Sequence, residues 1–329
     1  MVSLSKVHAS NALIPTALPP GLVALFVGGT SGIGEATVKA FAKYALKPRL
    51  YIVGRSQVAA DRILAECKTL NPEGEFTFLK ADVSLIQTVD EVCDDIKARE
   101  KTLNLVFLSC GVIDLSRTET SESLHLLAAL NHYSRMRFIQ NLLPLMQQAP
   151  SLRRVISVGG GGHEGKLDQT DYQARRVAVP ELREHLTTLV TLCLEALSKT
   201  APEVSFVHGY PGTVKTPLLD NVPPEALAGV EFVPIEESGE RHLYLATSAR
   251  YPSAREKGNG ILVGDDLAVA LGSNGEVGSG MYSVGQDCES ASADVLKGLA
   301  VLRERGVGDE AWIHTEAEFE RIMKLKSDK

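Results

Sequence analysis

The sequence predicts an α/β fold, a doubly wound parallel sheet with helices on both faces, followed by a C-terminal helical extension. Three observations predict it. Short apolar runs rich in Val, Ile, Leu and Phe alternate along the chain with longer segments of helical periodicity. The first such run, Val23 to Val27, passes through a glycine-rich turn straight into a helix. No internal repeat, low-complexity tract or long linker breaks the alternation. Residues 1–329 therefore read as one domain, with a core at about 20–285 and a helical tail at about 286–329.

Residues 1–20 read as an irregular arm broken by Pro15, Pro19 and Pro20. The turn Gly28-Gly29-Thr30-Ser31-Gly32-Ile33-Gly34 then opens a helix over Glu35–Tyr44, with Ile33, Ala36, Thr37, Ala40 and Phe41 on one face. Gly28 permits the tight turn, Gly32 lets the backbone approach a pyrophosphate, and Gly34 lets helix and strand pack closely. The helix N-terminus offers free N–H groups and partial positive charge to phosphates. Glycines alone could equally form a surface turn; strand, turn and amphipathic helix together point to a dinucleotide cofactor.

The second strand, Arg49–Val53, ends at Gly54-Arg55-Ser56. An NAD-binding chain places a carboxylate near this strand end for the ribose 2′-hydroxyl. Here Arg55 stands instead, suited to a 2′-phosphate and to stacking on adenine, so NADP(H) is the expected cofactor. The plainer alternative is a solvated arginine.

A helix over Val58–Thr69 and a strand over Phe76–Ala81 lead to Asp82-Val83-Ser84, where Asp82 or Ser84 could cap the helix over Leu85–Ala98. The fourth strand, Leu103–Leu108, runs into Ser109-Cys110-Gly111-Val112. A long helix over Ser121–Gln147 carries Leu127, Leu130, Ile139, Leu142, Leu143 and Met146 in its apolar stripe, interrupted by Asn131. A buried asparagine must find partners, so Asn131 is either a satisfied structural residue or a functional one. The fifth strand, Arg154–Val158, enters Gly159-Gly160-Gly161-Gly162-His163.

A helix over Glu181–Ser198 precedes the sixth strand, Val204–Val207, which ends in Tyr210-Pro211-Gly212-Thr213-Val214-Lys215-Thr216-Pro217. The Pro-, Ala- and Gly-rich stretch Pro223–Pro234 suits a lid over a substrate. A helix over Glu237–Thr247, a last strand at Met281–Val284 and two amphipathic helices within Ala291–Lys326 complete the chain.

Composition bounds the function. Apolar residues make up 44% and charged residues 23%, ordinary for a globular chain with a sizeable core. The 34 basic and 41 acidic residues give −7, with no general attraction to nucleic acid or acidic membrane. The five cysteines are scattered without a C-x-x-C pair and read as buried thiols in a reducing compartment. No basic-then-apolar leader and no apolar stretch of spanning length is present, so a cytoplasmic chain is expected.

The spacing Gly-x-x-x-Gly-x-Gly resembles the first turn of the short-chain dehydrogenase/reductase family, with Val27 in place of that family's usual Thr. The resemblance covers roughly residues 20–285 and implies a Rossmann-like fold. It implies that Asp82-Val83 lies at the adenine, that Ser109 and Gly111 lie beneath the cofactor, and that Pro211-Gly212-x-Val214 lies along the nicotinamide end. The family's paired asparagines are missing at Ser109-Cys110. Asn131, 12 residues before Leu143-Pro144, takes the place of the family's active-site asparagine.

The resemblance also implies a serine, a tyrosine and a lysine four residues beyond the tyrosine, which together hold and protonate a carbonyl oxygen. Gly160 stands at the serine's place. Counting 12 forward gives Tyr172 as proton donor with Arg176 at the lysine's place; arginine keeps the charge without relaying a proton. Counting back about 29–31 residues from Pro211 gives Pro180 to Leu182 instead, with Glu184, His185 or Leu186 at the lysine's place. His163, His185, His208 and Tyr210 are further polar groups that strand ends could bring to the nicotinamide.

Three functions stay open at this point. One is an NADP(H)-dependent oxidoreductase acting on a carbonyl or alcohol of a small organic substrate, similar to fungal family members tied to specialised metabolism. The second is a redox-neutral isomerase, dehydratase or cyclase on the same scaffold. The third is an NADP(H)-binding protein without catalysis. A homo-oligomer through the two long helices is possible by the same resemblance, unless the extra tail covers them.

Overall fold

A computed structural model describes residues 1–220, 222–256, 259–262, 264 and 267–327. Two short helices, α1 (Leu4–Ala12) and α2 (Ile14–Ala17), precede a β/α alternation. Its first half comprises β1 (Val23–Val27), α3 (Gly32–Tyr44), β2 (Arg49–Gly54), α4 (Gln57–Leu70), β3 (Glu75–Lys80), α5 (Ile86–Arg99) and β4 (Leu105–Leu108). The second half comprises α6 (Leu126–Ala128), α7 (Ser134–Gln147), β5 (Arg154–Val158), α8 (Leu182–Thr200), β6 (Ser205–Gly209), α9 (Ile235–Thr247) and β7 (Met281–Val284). Helices α10 (Ala293–Glu304) and α11 (Val307–Ser327) form the tail.

The seven strands make one sheet in the order β3-β2-β1-β4-β5-β6-β7, and every pairing is parallel. Side chains alternate between faces along each strand, and the two cores follow that period. Val23, Leu25 and Val27 point to the layer of α5, α7, α8 and α11. Ala24 and Phe26 point to the layer of α1, α3, α4 and α9. Both faces of β1 are thus buried, which is why its sequence is apolar without alternation. The expected α/β class, parallel sheet and helical extension are all present.

Two expected elements differ. The arm expected to be irregular over residues 1–20 is helical over Leu4–Ala12 and Ile14–Ala17. Ser3 caps α1 by accepting from the Lys6 N–H, and Val7, Asn11 and Ile14 form a buried stripe. Asn11 Nδ2 docks this helix on α9 by donating to the Glu240 carbonyl and to Glu240 Oε2, at 2.9 and 2.7 Å.

The helix expected over Ser121–Gln147 starts only at Leu126 and passes through a π-helical turn, Ala129–Tyr133, before continuing as α7. Glu122 keeps the preceding segment out of the helix. Its carboxylate accepts from the N–H groups of Ile86 and Gln87, capping α5 from outside.

Candidate active site

The strand order reverses between β1 and β4, and a cleft of about 980 Å³ opens at the carboxyl ends of the strands. That is where ligands bind in open parallel sheets. Gly28, Thr30, Ser31, Gly32, Ile33, Gly34, Arg55, Asp82, Val83, Ser109, Gly111, Asn131, Pro211, Gly212 and Val214 all line it.

The glycines have the geometry that their roles require. Gly28 has φ +86°, and a Cβ there would lie 2.7 Å from the Cys110 nitrogen. A Cβ on Gly34 would overlap the Gly28 carbonyl oxygen, so strand and helix meet only because it is absent. Gly32, at φ +56°, begins α3, and the first-turn N–H groups of that helix face the cleft. Arg55 is exposed at the end of β2 and forms no ion pair among the described residues. Asp82 accepts from the Ser84 N–H at 3.0 Å, fixing the turn after β3. A cradle that side chains would fill, beside a helix N-terminus and a free guanidinium, fits a phosphorylated dinucleotide.

Asn131 lies in the π-helical turn, with Nδ2 donating to the Leu127 carbonyl at 2.9 Å and Oδ1 pressed toward Gly111. Below it is Arg135, fully buried and without a carboxylate partner among the described residues. Its guanidinium donates to the carbonyls of Cys110 and Val158, each at 2.5 Å, and to Ser157 Oγ at 2.9 Å. Arg135 therefore ties the ends of β4 and β5 together under the cleft floor; burial lowers its pKa.

A second buried network anchors the Gly159–Gly162 turn. The Gly160 N–H donates to His208 Nε2 at 3.2 Å, so Nδ1 carries the proton toward Thr191 Oγ1 at 2.8 Å. Thr191 and Ser283 both donate to Glu164 Oε1, at 2.7 and 2.5 Å. Burial pushes the His208 pKa down to about 3 and raises that of Glu164, whose Oε2 has no hydrogen-bond partner among the described residues.

The catalytic pair expected from the forward count does not reach the cleft. Tyr172 packs into the core beneath α11, its ring 4.8 Å from that of His314, and burial raises its pKa. Arg176 is exposed and donates to the Thr170 carbonyl. Asp171 explains their placement. Its carboxylate accepts from the N–H groups of Arg175, Arg176 and Val177 and folds the segment into a closed turn away from the sheet.

His185 is likewise buried, under the Tyr172 carbonyl. The stretch 223–234 does not line the cleft either. Val233 donates to the Thr213 carbonyl, holding the segment behind the 211–217 strap, whose Leu218 and Leu219 continuation does form a wall.

The cleft face of α8 instead presents Arg183 and Thr187, one turn apart. Arg183 lies over the Tyr210 ring, 4.6 Å from its centroid, and His163 meets the same ring edge-on at 4.6 Å. Sequence reading singled out Tyr210 but missed Arg183, Thr187 and Arg135. The register of α8 depends on the long excursion after Gly162, which no residue count supplies.

The sheet order, the switch-point cleft and the glycine cradle define a dinucleotide-binding α/β protein. The model of the short chain dehydrogenase family matches residues 22–226, and the chain belongs to that family. It is 41% identical over 339 residues to oxidoreductase AN1596 of Emericella nidulans, covering 98% of this chain and 99% of that one. It is 37% identical over 334 residues to oxidoreductase andH of Emericella variicolor, covering 98% of each. Among solved structures, the KRED1-Pglu enzyme superposes with TM-score 0.54 at 21% identity, covering 74% of this chain and all of that one. A short-chain dehydrogenase of Sphingobium yanoikuyae in complex with NADPH gives 0.53 at 17% identity, covering 68% and 82%.

Proposed function

We propose that the chain is an NADP(H)-dependent oxidoreductase that interconverts carbonyl and alcohol on a bulky apolar small molecule. The observation that carries the cofactor is Arg55, a guanidinium without an ion pair among the described residues, at the end of β2 in the place where an NAD enzyme has a carboxylate. Arg55 holds the 2′-phosphate, the α3 N-terminus holds the pyrophosphate, and Asn131, Pro211, Gly212 and Val214 border the nicotinamide. The bound cofactor supplies the hydride. The Sphingobium yanoikuyae dehydrogenase, solved in complex with NADPH, supports this choice.

The cleft mouth supports the substrate class. Ile113, Leu115, Val179 and Leu218 line it while 38, 55, 50 and 46% exposed, an apolar rim that a water-soluble polar substrate would not cover. Two fungal relatives with oxidoreductase in their names support a redox reaction. Proton delivery falls to Tyr210, which lines the cleft with Arg183 over its ring. A cytoplasmic setting without nucleic acid or membrane accords with the −7 charge and with the lack of a membrane-crossing helix among the described residues.

Titration with NADPH and NADH, followed by consumption assays on a panel of apolar ketones, tests the reading. Preferred NADPH binding with turnover supports it; preferred NADH binding removes the cofactor assignment. A second reading rests on Arg183 and Thr187 occupying the cleft face of α8, where a tyrosine and lysine pair would stand. Bound NADPH that is never consumed, with substrate converted to an isomer or dehydration product, would select this redox-neutral alternative.

A further inference from the structure

We propose that the hydroxyl of Thr187 is the group that holds the substrate's carbonyl oxygen. This rests on the oxidoreductase reading of the cleft. Four consecutive glycines, 159 to 162, form the turn after β5, and the first three have no room for a side chain. A Cβ on Gly159 would meet His208 Nε2 at 2.6 Å, and one on Gly161 would overlap the His208 carbonyl. A Cβ on Gly160 would overlap Thr187 Oγ1. The place where a side chain of residue 160 would begin is therefore taken by a hydroxyl delivered from α8. Gly160 and Thr187 are reciprocal: the glycine opens the path, and the threonine fills it.

The count of uncommitted donors leads to the same group. On this wall, Asn131 Nδ2 is spent on the Leu127 carbonyl and both nitrogens of His208 are used. Arg135 is spent on the carbonyls of Leu130, Cys110 and Val158 and on Ser157. Thr187 lines the cleft on a rigid helix with no hydrogen bond to any described residue. A preorganised hydroxyl with nothing else to donate to suits an oxygen on which charge develops, and such donors are effective because they need no rearrangement. Thr187 touches the oxygen, and Tyr210 supplies the proton.

The test uses the full-length protein with NADP⁺ and carbonyl-¹³C fluorenone, an apolar ketone that cannot be reduced by the oxidised cofactor. The infrared carbonyl stretch of the bound probe reports hydrogen bonding without turnover. The wild type and Thr187→Ser should show a red-shifted stretch, and Thr187→Val should lose the shift. Thr187→Val should also lower kcat for fluorenone reduction roughly 100-fold, with NADPH affinity unchanged by fluorescence titration.

Thr187→Ala combined with Gly160→Ser moves the hydroxyl to the other side of the same gap, and it should recover the shift and most of the rate. A red shift that persists in Thr187→Val overturns the assignment while leaving the oxidoreductase reading intact. Absence of fluorenone binding by the wild type overturns the substrate reading itself. Should Thr187→Val unfold, the Thr187→Ser and double-variant arms decide alone: loss of the shift in both overturns the proposal.

Discussion

The guanidinium of Arg183 lies over the ring of Tyr210, 4.6 Å from its centroid, and both residues line the cleft. A cation over the ring face is attracted to it, and this stacking fixes the orientation of the tyrosine ring. Tyr210→Phe keeps the ring and the cation but removes the proton. Steady-state assays should show kcat lower by about 100-fold or more, with the NADPH dissociation constant unaltered. An unchanged kcat would remove Tyr210 as donor.

Tyr172 gives the opposite expectation. Its ring packs on His314 and its hydroxyl is remote from the cleft. Tyr172→Phe should leave turnover at the wild-type level. Tyr172→Ala should cost about 3 kcal/mol of stability in denaturant melts, as loss of a buried ring does. A rate loss in the phenylalanine variant at unaltered stability would return Tyr172 to the chemistry.

Arg55→Ala should weaken NADPH binding by at least about 10-fold, the worth of one charge-assisted contact at about 1.5 to 3 kcal/mol. NADH, lacking the 2′-phosphate, should bind as before. Equal weakening of both cofactors would show that Arg55 serves the adenine rather than the phosphate.

Three buried histidines set an acid limit on stability. Burial lowers the pKa of His132 and of His208 to about 3 and that of His242 to about 4. The unfolded chain takes up these protons near pH 6.5, whereas the folded chain resists them. Their contribution is therefore complete above about pH 6.5 and is lost as pH falls toward 4 for His242 and toward 3 for His132 and His208, at about 1.4 kcal/mol per pH unit for each group. His132→Gln should make the acid limb of a stability-against-pH curve shallower by one such increment. An identical slope in wild type and variant would contradict the assignment.

Helix α11 covers the outer faces of α7 and α8. Phe319, Ile322 and Ala311 are buried there, the hydroxyl of Tyr133 hydrogen-bonds His314 at 3.0 Å, and His132 hydrogen-bonds Thr315 at 2.9 Å. We propose that no association between copies uses this face. Light scattering of the intact chain should give the 35.4 kDa monomer or an assembly that survives surface mutation of α8. A chain ending at Arg305 should expose the apolar bed of α11 and self-associate. A truncated chain that stays monomeric with unaltered melting would show that the cover is dispensable.

Much of the architecture was legible because it depends on local rules. Alternating apolar strands and amphipathic helices fix a parallel sheet, since a strand buried on both faces must read as an unbroken apolar run. The cofactor cradle was legible for the same reason. Gly28 and Gly32 take a positive φ in the turn and Gly34 packs on the Gly28 carbonyl six residues back, while Arg55 follows the end of the adjacent strand.

What the sequence by itself determined was thus the sheet, the glycine turn and the arginine that follows β2. The tertiary structure decided which side chains line the cleft. Tyr172 and Arg176 were assigned by counting, but Asp171 folds their segment away through three backbone contacts. That excursion resets the register of α8, so that Arg183 and Thr187 face the cleft. The significance of Gly160 also depends on a partner remote in sequence, because only the folded chain brings the Thr187 hydroxyl into the space a side chain there would need. Local turns obey local sterics; a donor aimed across a cleft depends on how two distant elements pack.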